Sequence, residues 1–393
     1  MILLQELTVK EYQAETHIRY YITLDLNQVH SLEETIHLYR YLYDYIEELQ
    51  LQIVYEKVFG RLAVKESLLH ARAAWSRGAE VAPVSYIDGM PITDSPLSSI
   101  TVYGVKQHKS QIHIKYIKDI EGDSTGTFLS FGDVNYLYLI NISESALLSD
   151  RYSEFRRMFE VCHSYMEQYR FSSSDIVRTW IYLDDIKQDY IVLNEARRDF
   201  FDKARIDYSA YSDQLPASTC IEGRSSQRHN SVIDLVCIDK SAASISVKRV
   251  FNQNQNEAEG NSYLYKPTFA RAISICSHDW TELQISGTAS INEAGKTVFV
   301  NDPYNQIKKT MLNVLAILNQ FNMSFENIAL STCFFKKPHH YSYYQAVLKE
   351  LCLGEFPASL VKGHVCRDDL LFEFDAVAFR INERTNPKYE GTH

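Results

Sequence analysis

Residues 302–335 read DPYNQIKKTMLNVLAILNQFNMSFENIALSTCFF, a helical pattern followed by a strand pattern. In the first half of this segment, apolar residues recur at the spacing of one helix face, at Ile307, Met311, Val314 and Leu318. After a short polar turn, the apolar run 328–335 is typical of a buried strand. The segment therefore predicts a helix packed on a sheet, the building block of an α/β layer.

The same pattern occurs once more, earlier in the chain. Residues 150–183 read DRYSEFRRMFEVCHSYMEQYRFSSSDIVRTWIYL, and their apolar residues keep the same spacings, at Phe155, Phe159, Cys162 and Met166. The helix and the strand both precede their counterparts by 152 residues. A second helical segment follows each strand. This self-similarity predicts two homologous units.

Two shorter similarities extend the repeat toward the C-terminus. The sequence LPAS at residues 215–218 returns as FPAS at residues 356–359, 141 residues later. The last strand patterns, 232–239 and 370–379, align Asp234 with Glu373 at an offset of 139. We therefore predict an α/β fold with two tandem domains, at residues 100–245 and 262–382, joined by the polar stretch 252–261. Residues 1–99 are expected to form an N-terminal, mostly helical extension, because residues 33–75 show helical spacing.

Composition and charge exclude several classes of function. The 393 residues contain 40 Lys+Arg against 50 Asp+Glu, a net charge of −10, which argues against a nucleic-acid partner because phosphate binding needs a basic surface. No segment approaches the 18 or so consecutive apolar residues of a membrane helix, so no membrane association is expected. The first residues, MILLQELTVK, are too short an apolar segment for a signal peptide, which predicts a cytoplasmic location.

The sequence offers no cofactor site. Its seven cysteines contain no CxxC pair, and His339-His340 has no carboxylate or cysteine at metal-ligand spacing. No GxGxxG, P-loop or GxSxG segment is present. We therefore expect neither a metal ion nor an organic cofactor.

Several segments of the second repeat are similar to a known family. LQISGTAS at residues 283–290, followed by Gln306, Thr310 and Asn313, resembles the YjgF/RidA proteins, as do the PAS segments and LLFE at residues 370–373. That resemblance implies the chorismate-mutase-like fold, a twisted sheet backed by two helices.

The order and doubling of these segments resemble one group within that fold, the chorismatases. The similarity includes FARA at residues 269–272, SGTAS at 286–290 and CRDDLLFE at 366–373. The resemblance implies an enzyme that cleaves the enolpyruvyl ether of chorismate, a small dianion, and releases pyruvate without a cofactor.

The resemblance also implies a set of site residues. Glu373 matches the strand-borne glutamate and would be the general acid, since cleavage requires protonation of the enolpyruvyl methylene. Its apolar neighbours along the strand place it on the opposite face from them. Cys366 matches the position at which cysteine accompanies formation of 3-hydroxybenzoate. The substrate-binding residues would be Tyr190, Arg197, Arg271, Gly287, Ala289 and Arg367, of which the arginines suit carboxylates because of their planar guanidinium.

Two alternatives remain open. One is a RidA-like enamine or imine deaminase, or another hydrolase of small carboxylates. The RidA deaminases carry an arginine directly after Pro-Ala, however, and both repeats have serine there, at Ser218 and Ser359. The other is a non-catalytic ligand-binding module on the same fold. The chain is expected to be a monomer or a homotrimer, because the repeat can replace contacts between subunits.

Overall fold

The described part of the chain folds into three sheets, each backed by two helices. We describe a computed structural model that covers residues 7–75, 81–143, 150–208, 212–225, 231–252, 254–255 and 268–383. The predicted α/β class is confirmed, and so are the helices and strands of both predicted repeats.

The first sheet contradicts the prediction of a mostly helical N-terminal extension. The elements of this part of the chain are β1 (Leu7–Gln13), β2 (His17–Asp25), α1 (Leu32–Leu49), β3 (Gln52–Gly60), α2 (Leu62–Trp75), β4 (Val84–Asp88), β5 (Met90–Pro91) and β6 (Leu97–Gln107). Strand β5 pairs with a strand of the third sheet and not with the first sheet. The strands run in the order β1-β2-β6-β3-β4. Helix α1 ends at Gln50 in the left-handed conformation, and β3 follows at once. Most of β3 is buried on both faces, so its sequence lacks the alternation that marks a strand.

The second and third sheets contain the predicted repeats. The second comprises β7 (Ile112–Lys118), β8 (Ser124–Phe131), β9 (Val134–Ile142), α3 (Arg151–Gln168), β10 (Ile176–Leu183), α4 (Ile186–Lys203), β11 (Ala217–Glu222) and β12 (Ser231–Ile238). The third comprises β13 (Ile245–Val250), β14 (Ala272–Ser277), β15 (Trp280–Ala289), α5 (Pro303–Asn319), β16 (Ile328–Phe335), α6 (His340–Glu350), β17 (Ser359–Lys362) and β18 (Phe372–Ile381). Their strand orders are β11-β10-β12-β9-β8-β7 and β13-β14-β15-β18-β16-β17-β5.

All three sheets follow one chain path. In each, the strand after the first helix pairs in parallel with the strand after the second helix, as in β3–β4, β10–β11 and β16–β17. The last strand, which is β6, β12 or β18, lies beside the strand after the first helix and is antiparallel to it. The chain is therefore a threefold internal repeat, in which the N-terminal residues form the first copy.

The unit boundaries given by the sheets differ from the domain boundaries predicted from the sequence. The boundary at residue 100 lies inside β6, and β13 belongs to the third sheet although it precedes the polar stretch 252–261. Most of that stretch lies outside the described residues. We therefore propose units at residues 7–107, 112–238 and 245–381.

The three sheets share one interior, and the helices lie outside. Phe59, Tyr182 and Phe334 occupy equivalent positions, and the ring of Phe59 lies 6.1 Å from that of Tyr182 and 6.2 Å from that of Phe334. They mark an approximate threefold axis. All eight residues of β10 are buried, because one face packs on its helices and the other on the neighbouring sheets.

The strand register corrects the alignment of Asp234 with Glu373. Asp234 lies opposite Trp180 in its sheet, and Asp375 lies opposite Thr332, which is 152 residues after Trp180. Asp375 is therefore the counterpart of Asp234, at an offset of 141. Glu373, opposite Phe334, corresponds instead to Val232 in the second unit and to Ser99 in the first.

Candidate active site

A cleft between the second and third units contains every side chain predicted for the site. Its empty space is about 550 Å³, including the part open to solvent. It is lined by Tyr190, Arg197, Ser218, Cys220, Phe269, Arg271, Gly287, Ala289, Ile291, Cys366, Arg367, Leu370 and Glu373. These residues come from positions far apart in sequence, and both walls belong to the same chain.

The floor of the cleft is formed where β11 meets the third sheet. Ala217 forms a parallel bridge with Ala270, and the Ala270 N–H donates to the Pro216 carbonyl at 2.8 Å. The Ser218 N–H donates to Ser286 Oγ at 2.8 Å, and that hydroxyl donates to the Ala270 carbonyl at 2.5 Å. These hydrogen bonds, from the main chain and from the Ser286 hydroxyl, thus fix the distance between the two walls.

Glu373 extends into the cleft from β18. Its neighbours Phe372 and Phe374 pack on the helices of the third unit, so the strand places Glu373 on the other face, as predicted. The residue is only 6 % exposed. Burial, and next the charge of Asp375, raise the pKa of Glu373 to about 8, although Arg271 and Arg178 act in the opposite direction. Glu373 is therefore a neutral acid near neutral pH and can donate a proton.

Gly287 leaves room for this carboxyl group. A Cβ atom at position 287 would lie 2.0 Å from Glu373 Oε1, far inside van der Waals contact. The Gly287 N–H donates to Thr219 Oγ1 at 3.0 Å across the cleft floor. The glycine of the SGTAS segment is thus required by the close approach of the glutamate, not by an unusual backbone angle.

Two buried arginines border the same space. Arg197, on α4, is 3 % exposed and donates to Ser218 Oγ at 3.3 Å and to Asn194 Oδ1 at 2.5 Å. Among the described residues its Nε has no hydrogen-bond partner. Arg271 is 4 % exposed, and its guanidinium carbon lies 5.1 Å from the centre of the Phe269 ring. A planar guanidinium at the wall of a cleft can bind a carboxylate through two hydrogen bonds, so both arginines favour an anionic ligand.

Cys366 and Arg367 enter from the segment between β17 and β18. The Cys366 thiol is hydrogen-bonded to Tyr190, and burial raises its pKa to about 12, so it is a neutral thiol and not a nucleophile at neutral pH. Arg367 donates to the Gly295 carbonyl at 2.8 Å. An ion pair between Lys187 and Asp368 joins this segment to the start of α4. The segment therefore covers one side of the cleft.

Sequence reasoning missed several residues behind the cleft wall. Arg178 Nη2 donates to Thr219 Oγ1 at 2.7 Å and to Asp375 Oδ2 at 3.1 Å, and Trp180 Nε1 donates to the same carboxylate oxygen at 3.1 Å. The sequence does indicate this pair, because Arg178 and Asp375 interrupt the otherwise apolar strands β10 and β18, and a charge buried in such a strand requires a partner.

The described residues contain no group of three or more potential metal ligands. Within the same part of the chain, no helix has the length and apolar character needed to cross a membrane.

Comparison with known proteins agrees with this architecture. Residues 274–380 match the family model described as Endoribonuclease L-PSP. A crystal structure of a chorismatase at 1.08 Å resolution is 15 % identical, with a TM-score of 0.57, over 83 % of this chain and 92 % of that one. This likeness confirms the predicted fold, that of the chorismatases and of YjgF/RidA-like units.

Some smaller solved structures match about a third of the chain. A putative endoribonuclease L-PSP from Entamoeba histolytica covers 34 % of this chain and 98 % of its own, at 18 % identity and a TM-score of 0.27. TdcF of E. coli with bound serine covers the same shares at 21 % identity and a TM-score of 0.27. A search of the curated proteins finds no match.

Proposed function

We propose that this protein is a chorismatase that converts chorismate to pyruvate and 3-hydroxybenzoate. The observation that carries the proposal is the buried Glu373, whose pKa is raised to about 8, in a cleft that also contains the buried Arg197 and Arg271. A neutral acid beside two cations is what cleavage of a dianionic enol ether requires.

The two arginines would hold the substrate carboxylates. Arg197 and Arg271 are contributed by opposite walls of the cleft, one from α4 and one from the segment before β14. A planar guanidinium can bind a carboxylate through two hydrogen bonds, which fixes orientation as well as position. Tyr190, Ala289 and Arg367 would complete the binding surface around the ring and the enolpyruvyl group.

Glu373 would act on the enolpyruvyl methylene carbon. Proton transfer to this carbon creates an oxocarbenium-like centre and makes the ether oxygen a good leaving group. The neighbouring ring hydroxyl then attacks the ring carbon as pyruvate departs, and the resulting epoxide opens and aromatises to 3-hydroxybenzoate. The hydroxyl gives up its proton as the epoxide forms, and this proton restores the acid form of Glu373. Opening and aromatisation then only move a proton from a ring carbon to the epoxide oxygen, so pyruvate and 3-hydroxybenzoate together contain all the atoms of chorismate.

Cys366 would decide between this route and attack by water. Its side chain lies against Tyr190 at the edge of the cleft, where a larger group excludes a water molecule from the reacting carbon. With water excluded, the ring hydroxyl is the nearest nucleophile, which favours 3-hydroxybenzoate over a dihydroxycyclohexadiene acid.

The test is to incubate the purified protein with chorismate and measure pyruvate with lactate dehydrogenase, followed by chromatography of the aromatic products. We expect pyruvate and 3-hydroxybenzoate in equal amounts, formed about 10²–10⁴-fold more slowly by the Glu373→Gln variant. No pyruvate, together with ammonia release from imino acids, would instead support a RidA-like deaminase. Binding of chorismate without turnover would support a ligand-binding module.

A further inference from the structure

Glu373 has a second carboxylate behind it on the same strand. Residues two apart on a strand share a face, and Asp375, like Glu373, points away from the helices into the shared interior. Asp375 is 3 % exposed. Two carboxyl groups this close in a buried site resist simultaneous ionisation, so the surroundings must decide which of them keeps its proton.

The contacts of Asp375 are those of an ionised carboxylate. Its Oδ2 accepts from Arg178 Nη2 and from Trp180 Nε1, each at 3.1 Å. Arg178 is fully buried, its guanidinium carbon lies 4.4 Å from the centre of the Trp180 ring, and the same Nη2 also donates to Thr219 Oγ1. Arg178 is therefore held between Asp375 and the cleft floor.

A second buried pair lies beside the first. Lys57 Nζ lies 3.0 Å from Asp234 Oδ2 and 4.1 Å from the centre of the Trp180 ring, on which Arg178 also packs. Lys57 and Arg178 are thus matched by Asp234 and Asp375. Of these two cations, Arg178 is the one whose charge acts on Glu373, and Asp375 already pairs with it.

We propose that Asp375 is a positioning residue for the reaction inferred above: by retaining Arg178 it keeps that cation from Glu373, which stays a proton donor. The charged and titratable groups that face Glu373 from the elements around it are Arg178, Tyr190, Arg197, Cys220, Arg271, Cys366, Arg367 and Asp375. Of these, Asp375 is the acidic group that raises the pKa of Glu373, and the thiols remain neutral. Only the transfer of this proton to a substrate rests on the proposed function. The protonation of Glu373 itself does not depend on it.

Infrared spectroscopy tests the protonation without any turnover. We expect the wild-type protein to show the carbonyl band of a protonated carboxyl group that persists to neutral pH and is missing from Glu373→Gln. Persistence of that band in Glu373→Gln would overturn the proposal, because Asp375 would then carry the proton. This comparison needs no change at Asp375, so it decides the matter even if Asp375 variants fail to fold.

A pair of matched variants tests the role of Asp375 itself. In Asp375→Asn the repulsion is lost and Arg178 is released toward Glu373, so the midpoint of the carboxyl band should fall by about one pH unit or more. The alkaline limb of the pH profile of kcat should shift to lower pH by the same amount. Above neutral pH the variant should therefore lose about tenfold in activity, and at lower pH this activity should return.

Asp234→Asn is the control, since it removes the matching carboxylate of the Lys57 pair. We expect this variant to lose stability as well but to keep the wild-type midpoint and pH profile. A uniform loss of activity at every pH in Asp375→Asn, or an equal shift in Asp234→Asn, would overturn the proposal. If the infrared midpoints behave as expected while the wild type does not turn over chorismate, the protonation of Glu373 is supported and the proposed reaction is refuted.

Discussion

The strand position that places Glu373 in the cleft has an equivalent in each of the other two units, and the three positions hold different side chains. At the position of Glu373 the first unit has Ser99, whose hydroxyl donates to Ser359 Oγ at 2.7 Å and closes that junction. The second unit has the fully buried Val232. An internal threefold repeat therefore presents a proton donor at only one of three equivalent strand positions.

This difference shows that the repeat determines the architecture of each unit but not its chemistry. The strand pairing, the helix layer and the shared interior recur in every unit, because each must bury one face of a sheet on its helices and the other on its neighbours. The chemistry does not recur, since it depends on single residues that packing leaves free to vary. One chain should thus contain one reactive cleft, and each prediction below sets that cleft against a matched position elsewhere.

The largest effect is expected from Glu373→Gln. Glutamine keeps the size of the side chain but has no proton to donate, so kcat for pyruvate release should fall by about 10²–10⁴-fold. Ser99→Ala, at the equivalent position of the first unit, should leave kcat unchanged. A loss of less than about tenfold in Glu373→Gln would remove it from the role of acid.

Gly287→Ala should cost nearly as much, although it alters no reacting group. The added methyl group would meet Glu373 Oε1 at 2.0 Å and must displace the carboxyl group. A misplacement of that order lowers turnover by about 10²-fold. Gly104→Ala in β6 is the control, because its Cβ would meet nothing closer than 3.4 Å. Full turnover by Gly287→Ala would show that the position of Glu373 is not critical.

Loss of either buried arginine should act mainly on substrate binding. Arg197→Gln and Arg271→Gln each remove a charged hydrogen-bond donor from the cleft, which is worth about 1.5–3 kcal/mol and should raise KM for chorismate by about 10–100-fold. The control is Arg198→Gln, because Arg198 is the exposed neighbour of Arg197 on α4. An unchanged KM in both cleft variants would contradict carboxylate binding there.

The raised pKa of Glu373 also predicts how stability depends on pH. Between the ordinary value of 4.5 and about 8, the folded protein keeps a proton on Glu373 that the unfolded chain has lost. The unfolded state then binds fewer protons, so this group makes stability fall as pH rises, by about 1.4 kcal/mol per pH unit. Urea unfolding at several pH values should show Glu373→Gln gaining stability relative to the wild type across this window, whereas Ser99→Ala should run parallel to the wild type.

Much of the fold was visible in the sequence because its signals are local. The helices α3 and α5 and the strands after them share spacings and an offset of 152, which is enough to define two units. The first unit was missed because β3 is buried on both faces and has no alternation, and because helical spacing in α1 was extended across it. The local pattern of a strand disappears when both of its faces are packed.

The residues of the site were likewise predicted only in part. All eight predicted residues line one cleft, because they lie in segments that were themselves recognisable. The pair of Arg178 and Asp375 was not predicted, since the partners are 197 residues apart and belong to different units. The two-residue error that aligned Asp234 with Glu373 has a similar cause, because the residue that faces each of them across the sheet lies on a distant segment and cannot be found by counting along the chain.

The smallest effect is expected from Cys366→Ala, which should change the products and not the rate. Removal of the Cys366 sulfur opens space beside Tyr190, whose hydroxyl is then a hydrogen-bond partner for a water molecule near the reacting carbon. The proportion of dihydroxycyclohexadiene acid should rise about fivefold relative to 3-hydroxybenzoate, equivalent to about 1 kcal/mol between the two routes. Cys220→Ala is the matched control, because Cys220 is the other thiol that lines the cleft. Chromatography after complete consumption of chorismate measures the ratio, and an unchanged ratio in Cys366→Ala, or an equal change in Cys220→Ala, would mean that the thiol at 366 does not select the nucleophile.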